Sequence, residues 1–357
     1  MHPFFAALSP HESTLLLTLL TAGGSDQVGC LGHLPEPRRS LLQEKAQALL
    51  AIDSERRVQL MVLELKALWA DHGQRSLERV DPSWIVYHLR GEGPRVVGVV
   101  LLGLQRALQR QVLQRLPTAV RQQLPRKEEI RQLPAAVLDS VRQRFANRLH
   151  PMPLPGPAPI AFADCLHLPR RELYVLVRSL GLIELGQAFV SVGKVALAEL
   201  CRRLPRPQAE ELVYAVRQAS QTDLPDLSHA QRFLSRIIGN FDDTEEFLQK
   251  SGLWRLAKAA GREPPSWQQA LAQRLPRRAA LQLLDFIARA QEMADITDLV
   301  RQRLQDVIIV RLVVMARRNI IGANWATAQL TFHDPQASQE ALVAAEAAAE
   351  FEPTAAG

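Results

Sequence analysis

One stretch of this chain repeats another at a fixed offset of 71 residues, without a gap. Gly181-Leu182 returns as Gly252-Leu253, Leu185 as Leu256, Ala188 as Ala259 and Leu200 as Leu271. Arg203-Leu204-Pro205-Arg206 returns as Arg274-Leu275-Pro276-Arg277. Ala209 and Leu212 then match Ala280 and Leu283, and Ile237-Ile238 matches Ile308-Ile309. A third Arg-Leu-Pro, Arg115-Leu116-Pro117, also closes an apolar run. Proline lacks an amide hydrogen and has a fixed φ, so a helix tolerates it in its first turn and not in its interior. Leu-Pro after a helical run therefore marks a corner between two helices. Each unit reads as a helix, a Pro-started helix and further helix. Such units bury a shared core by stacking side by side, as armadillo-type arrays do.

Composition agrees with helix. Hydrophobic residues make up 47% of the chain but aromatics only 5%, so the apolar content is mostly Leu, Ala and Val. Leu and Ala are strong helix formers, and Gln, Arg and Glu fill much of the remainder. Leu60, Val62, Leu63, Leu65, Ala67 and Leu68 follow Asp53-Ser54 as an amphipathic helix behind a start signal. Val99, Leu102, Leu104, Leu108, Val112, Leu113 and Leu116 continue the pattern. The best strand candidate is the β-branched run Val307–Val314. Its flanks, Leu304-Gln-Asp and Met315-Ala-Arg-Arg, favour a buried helix.

The sharpest boundary is Pro151–Pro159, where five prolines alternate with other residues. That spacing forbids helix and predicts an extended, semi-rigid linker. The expected architecture is all-α, with armadillo-like stacked helical repeats in two halves joined by the Pro-rich linker. Its parts are an N-terminal helical region at 1–76, a helical module at 77–150 and the linker at 151–160. Two helical repeats follow at 161–240 and 241–333, and a flexible Ala/Glu-rich tail at 334–357.

The three cysteines, Cys30, Cys165 and Cys201, form no CxxC pair, which argues against a disulfide framework and fits a reducing compartment. Cys165 and Cys201 lie in apolar runs, where a free cysteine acts as a small hydrophobe. The start, Met1–Phe5, lacks a basic stretch followed by a long apolar run, so no secretory leader is expected. The longest apolar run, Val96–Leu104, is interrupted by Gly98 and Gly103 and is far below the ~20 residues a membrane span needs.

The net charge is +6, and 37 of the 43 basic residues are Arg. Between Gln105 and Leu149 there are ten basic residues against three acids, an excess above that of the whole chain. Such a stretch suits nucleic acid, anionic lipid or an acidic protein. It holds one aromatic, Phe145, which supports base stacking poorly.

Reactive motifs fail on spacing. Gly186–Lys194 resembles a phosphate loop, but its first glycine would have to stand at Ala188 and Val195 replaces the Ser or Thr. Gly91-Glu-Gly93 is followed by Pro94 and Arg95 with no strand before it, which makes a helix-capping turn and not a dinucleotide fold. Cys30/His33 and Cys165/His167 each lack a second local pair to complete a zinc site. Asp242-Asp-Thr-Glu-Glu246 reads as a capped helix start. No catalytic residue, metal or cofactor is expected.

The spacing from Phe162 to Leu212 resembles the C-terminal region of the flagellar motor switch protein FliG family. It is carried by Phe162-Ala-Asp164, Leu173, Leu176, Leu185, Ala188-Phe189, Leu200, Leu204, Ala209 and Leu212. Asp226–Gln231 resembles the family's next helix start. Asp81–Ile85 and Leu89–Val97 resemble its middle domain, with the family's Glu-His-Pro-Gln turn falling on Glu92, Gly93, Pro94 and Arg95. The resemblance implies an all-helical, ring-forming, non-enzymatic scaffold in the cytoplasm, at the inner-membrane face. Its partners would be other rotor, switch or secretion-base subunits, and it would meet the membrane only through a membrane ring. The family's lysine after Ala-Leu falls on Val190, its corner arginine on Pro207 beside Arg206, and its acidic pair on Tyr214-Ala215. Apolar residues there cannot set charge register, which points to a divergent paralogue, flagellar or from a non-flagellar type III secretion apparatus. The expected partner-binding residues are Glu92, Pro94, Arg95 and Arg206. A polar turn opening an apolar helix projects from a helical stack. The alternatives are an Arg-rich nucleic-acid-binding repeat and a generic helical adaptor.

Overall fold

The computed structural model describes residues 5, 8, 10–23, 26–34, 36, 38–152, 160–190, 193–219, 228, 230–234, 243–327, 329–339 and 342. Most of the linker, Ile237-Ile238, parts of Asp226–Gln231 and most of the tail lie outside the described residues. Among the described residues every regular element is helical, and the one strand-like feature is an isolated parallel bridge between Ile160 and Leu330. The fold is all-α, as the periodicity predicts.

The chain divides into two compact units built from interleaved segments. The first comprises Met1–Glu78, Pro94–Arg106 and Leu124–Asn147. It contains α1 (Pro10–Gly23), a 3-10 turn (Asp26–His33), α2 (Arg38–Leu50), nearly all of α3 (Ser54–Arg79) and α5 (Pro94–Gly103), with α8 (Lys127–Arg131) and α9 (Ala135–Ala146) further along the chain. Phe5, Leu16, Leu17, Leu31, Leu42, Ala46 and Leu49 pack as one buried cluster. The Asp53-Ser54 start holds: Asp53 Oδ2 accepts the Glu55 N–H at 3.1 Å, and α3 begins at Ser54. Around α5, a β-carbon at Gly98 would lie 2.6 Å from Ile130 Cδ1, so glycine lets α8 approach closely.

The second unit comprises Arg79–Gly93, Ala107–Gln123 and Arg148–Gly357. It contains α4 (Pro82–Leu89), most of α6 (Arg106–Arg115), α7 (Thr118–Gln122) and a 3-10 turn (Phe162–His167). The first repeat supplies α10 (Arg170–Phe189), α11 (Lys194–Arg203) and α12 (Arg206–Ala219). The second supplies α13 (Thr244–Ala260), α14 (Pro265–Ala272), α15 (Arg277–Glu292) and α16 (Asp298–Arg317), before the short α17 (Asn324–Thr327). Val307–Val314 lies inside α16, with Ile308, Ile309, Leu312 and Val313 buried, so the helical reading of that β-branched run holds. Asp243 accepts the Glu246 N–H at 3.0 Å and caps α13, the role expected of that acidic cluster. Within the tail, residues 335–339 are helical and Ser338 is buried.

The corners fall where proline predicts them. Pro117, Pro134, Pro169, Pro264 and Pro276 each stand at the cap position immediately before a helix. The two Arg-Leu-Pro-Arg corners also share their backbone bonding. The Leu204 N–H donates to the Cys201 carbonyl (3.3 Å) as Leu275 does to Ala272 (3.1 Å). The Ala209 N–H donates to Pro205 (3.0 Å) as Ala280 does to Pro276 (2.9 Å).

Candidate functional site

The two repeats meet through their first helices. A β-carbon at Gly181 would overlap the Leu248 carbonyl, and one at Gly252 would overlap the Val177 carbonyl. These contacts exchange under the 71-residue offset and Gly181 faces Gly252, so α10 and α13 pack in parallel register about a local two-fold. Only glycine permits backbones this close. One turn beyond the crossing lies a buried polar cluster. Lys258 Nζ donates to Glu184 Oε1 at 2.7 Å, and Arg255 Nη1 donates to Glu184 Oε2 at 3.1 Å and to Gln187 Oε1 at 2.9 Å. Glu184 is 1% exposed, and Arg255, Lys258 and Gln187 are also buried. Again the offset exchanges the partners: Glu184 faces Lys258 as Arg255 faces Gln187. These short bonds help two cations on one carboxylate to compensate their desolvation. Sequence reasoning missed all four residues. The usable signal was Glu184 and Gln187 within the apolar stretch Leu180–Phe189, aligned to Arg255 and Lys258 by the repeat.

The second Arg-Leu-Pro-Arg corner is covered. The Asp81 N–H donates to the Gln273 carbonyl at 2.8 Å, and Trp84 Nε1 donates to the Leu275 carbonyl at 3.1 Å. The Arg277 N–H donates to Ser83 Oγ at 2.9 Å. The Arg277 guanidinium sits 3.9 Å from the Tyr87 ring centroid and 6.0 Å from that of Trp84. A helix end carries unpaired carbonyls and a helix start unpaired amides. Here the start of α4 satisfies both sets. Sequence requires Asp81-Pro82 for this: aspartate caps α4 by accepting from Ser83 N (2.9 Å) and Oγ (2.6 Å), and proline opens its first turn.

Asp81 also gathers cations. It is buried and accepts from Arg115 at 3.4 Å and from Arg170 at 3.2 Å, and Arg170 further donates to Gln111 at 3.1 Å. Burial and the Asp81 charge together push the Tyr174 phenol up to about 12. Arg274 donates to the Leu168 carbonyl; burial, then the nearby Arg79 and Arg170 charges, lower its pKa to about 10. Arg79 meets His167 Nδ1 at 2.9 Å. Burial first, and the Arg79 charge second, hold His167 below the usual histidine range. His88 is held low by burial, then by Arg148 and Arg277.

Compared with known proteins, the chain matches no family model, no curated protein and no solved structure.

Of the four expected partner-binding residues, Glu92, Pro94 and Arg95 stand within four consecutive positions, and Arg206 lies far from them in sequence. Glu92 lies in the second unit, where its carboxylate accepts from Arg148 at 2.5 Å. Pro94 opens α5 in the first unit, and Arg95 is exposed in that helix's first turn. Arg206 opens α12, pairs with Glu210 at 2.8 Å, and has 90% of its side chain exposed. Val190 ends α10, and Ala215 faces Gly186, where a β-carbon would lie 2.6 Å from Ala215 Cβ; a carboxylate at 215 would press into α10. Cys165 is fully buried, and burial pushes its thiol up, as suits a small hydrophobe. No described helix is long and apolar enough to cross a membrane.

Proposed function

We propose that this chain is a non-enzymatic scaffold subunit of a flagellar-type rotor or type III secretion base, working through helix-surface contacts with other ring subunits. The single observation that carries the reading is the duplicated helical unit whose second corner receives the start of another helix, Asp81–Trp84. A corner that binds a helix start inside one chain is the kind of surface by which helical repeats dock partners. The FliG-like spacing of Phe162–Leu212 and the Glu92–Arg95 turn direct that docking towards a rotor or secretion ring, with armadillo-like stacking between repeats. The converging ionisable groups also serve packing: Asp81 and Glu184 are each consumed by two cations. In the basic stretch, Arg115, Arg142 and Arg148 are ion-paired to Asp81, Asp139 and Glu92, which favours a protein partner over phosphate.

The test is co-purification of the tagged full chain with membrane-ring fractions from its own cells, beside an Arg95→Glu variant. The reading expects the chain to pellet with the ring and the charge-reversed variant to be depleted. A chain that stays in the low-mass supernatant while the ring subunits pellet overturns it. Retention on generic DNA that falls steeply with salt would move the assignment to nucleic acid.

A further inference from the structure

The two Arg-Leu-Pro-Arg corners are built alike and used differently. Both close their first helix with the same leucine amide bond and open their second with the same alanine amide bond. Leu204 and Leu275 both point into the core. Yet Gln273, Arg274 and Leu275 are buried and the start of α4 bonds to the Gln273 and Leu275 carbonyls, whereas Arg202 and Arg206 keep 79% and 90% of their side chains exposed. We infer that the Arg202–Arg206 corner is a second docking site of the same design, left open in this chain for the first turn of a partner's helix.

The covered corner specifies what such a partner must present. Three contacts hold α4 there, and each uses only the corner's backbone or its last arginine. A backbone amide donates to the carbonyl of the residue before the corner, at Gln273. An indole N–H donates to the corner leucine carbonyl, at Leu275. A hydroxyl accepts from the amide of the helix-opening arginine, whose guanidinium lies over an aromatic ring one turn on. The open corner repeats every one of these groups, with Arg202 and Leu204 supplying the carbonyls and Arg206 the amide and guanidinium. The side chain at 273 takes no part in the amide bond, so its change to Arg202 costs nothing. Glu199 pairs with Arg202 and Arg203, and Glu210 with Arg206. At the covered corner the helix start carries an acidic cap, Asp81. The occupant is therefore a partner helix opening with an acidic cap, then a hydroxyl and a tryptophan, with an aromatic one turn later. Asp81-Pro-Ser-Trp-Ile-Val-Tyr87 is the form this chain itself carries.

This inference rests on the reading of the chain as a docking scaffold, but not on the identity of the ring, and direct binding separates the two. The probe is a fluorescein-labelled synthetic peptide spanning Val80–Arg90, titrated with the purified full chain. Saturable one-to-one binding is expected. Arg206→Ala, which removes an exposed side chain and should leave the thermal melt unchanged, weakens it by about tenfold. Trp84→Phe in the peptide, which deletes the indole donor, weakens it by about three- to tenfold. Two results overturn the inference. One is no saturable binding at millimolar protein. The other is binding that ignores Arg206→Ala and is lost with Arg277→Ala, because the peptide would then be exchanging with α4 at the covered corner. A chain that fails to pellet with membrane rings yet binds this peptide through Arg206 would end the rotor reading and keep the corner.

Discussion

A carboxylate with 1% of its surface exposed must have its charge compensated on the spot, and Glu184 has two cations to do so, Arg255 at 3.1 Å and Lys258 at 2.7 Å. The three residues are unequal in what their loss leaves behind. Glu184→Ala removes the counter-charge of two buried cations and should cost about 3–5 kcal/mol. Lys258→Met leaves Glu184 still bound by Arg255 and should cost clearly less. Urea midpoints of the two variants, at equal slope, check the order. A larger loss for Lys258→Met would mean that Arg255 does not compensate Glu184. The histidines give a pH dependence. His88 and His167 are both held below their ordinary value of 6.5, so the folded state disfavours their charged forms. Above pH 6.5 both states carry neutral rings and nothing is lost. As pH falls below 6.5 the unfolded chain takes up protons first, so stability drops through that window until the folded rings also protonate. Denaturation at pH 7.5 and 5.5 should show the drop, and the double variant His88→Gln/His167→Gln should show a smaller one. None of these environments was visible in the sequence, where His167 was considered only beside Cys165 as an incomplete zinc pair. Burial is set by what packs over a side chain, and that comes from elements far away in sequence.

At the scale of elements, glycine decides how closely α10 and α13 approach. Replacing a helical glycine by alanine ordinarily gains up to ~1 kcal/mol of helix propensity. At Gly252 the added methyl would overlap the Val177 carbonyl, and at Gly181 the Leu248 carbonyl, which are backbone atoms unable to rotate away. Each substitution should therefore reverse sign and destabilise by about 1–3 kcal/mol or more. Gly91→Ala meets nothing within 4 Å and should stay near neutral. Thermal melts of the three variants test the crossing, and a neutral Gly252→Ala would mean α10 and α13 are not in contact there. The elements themselves were largely legible. Asp53-Ser54, Asp243 and the leucine-proline corners act through bonds within a few residues, so local sequence suffices to place them. The run Val307–Val314 was decided by its flanks, because β-branched residues fill a buried helix as well as a buried strand.

At the scale of the whole molecule, the second compact unit takes two segments from the first half of the chain, Arg79–Gly93 and Ala107–Gln123. A fragment of residues 161–333 should therefore melt well below the full chain, and its Arg277 amide should exchange with solvent faster, because Ser83 no longer caps it. Unchanged protection at Arg277 would show that α4 contributes nothing to the corner. The sequence by itself determined the helical class, the duplication and the positions of the corners. These follow from period, proline geometry and a gapless offset, each carried by neighbouring residues. Only the tertiary structure decided that α10 and α13 cross at paired glycines, that Glu184 closes a buried charge cluster, and that one corner is covered while its copy stands open. Two equal corners compete for one α4, and the choice between them depends on chain connectivity and on Arg115 and Arg170 holding Asp81, contacts between residues tens of positions apart.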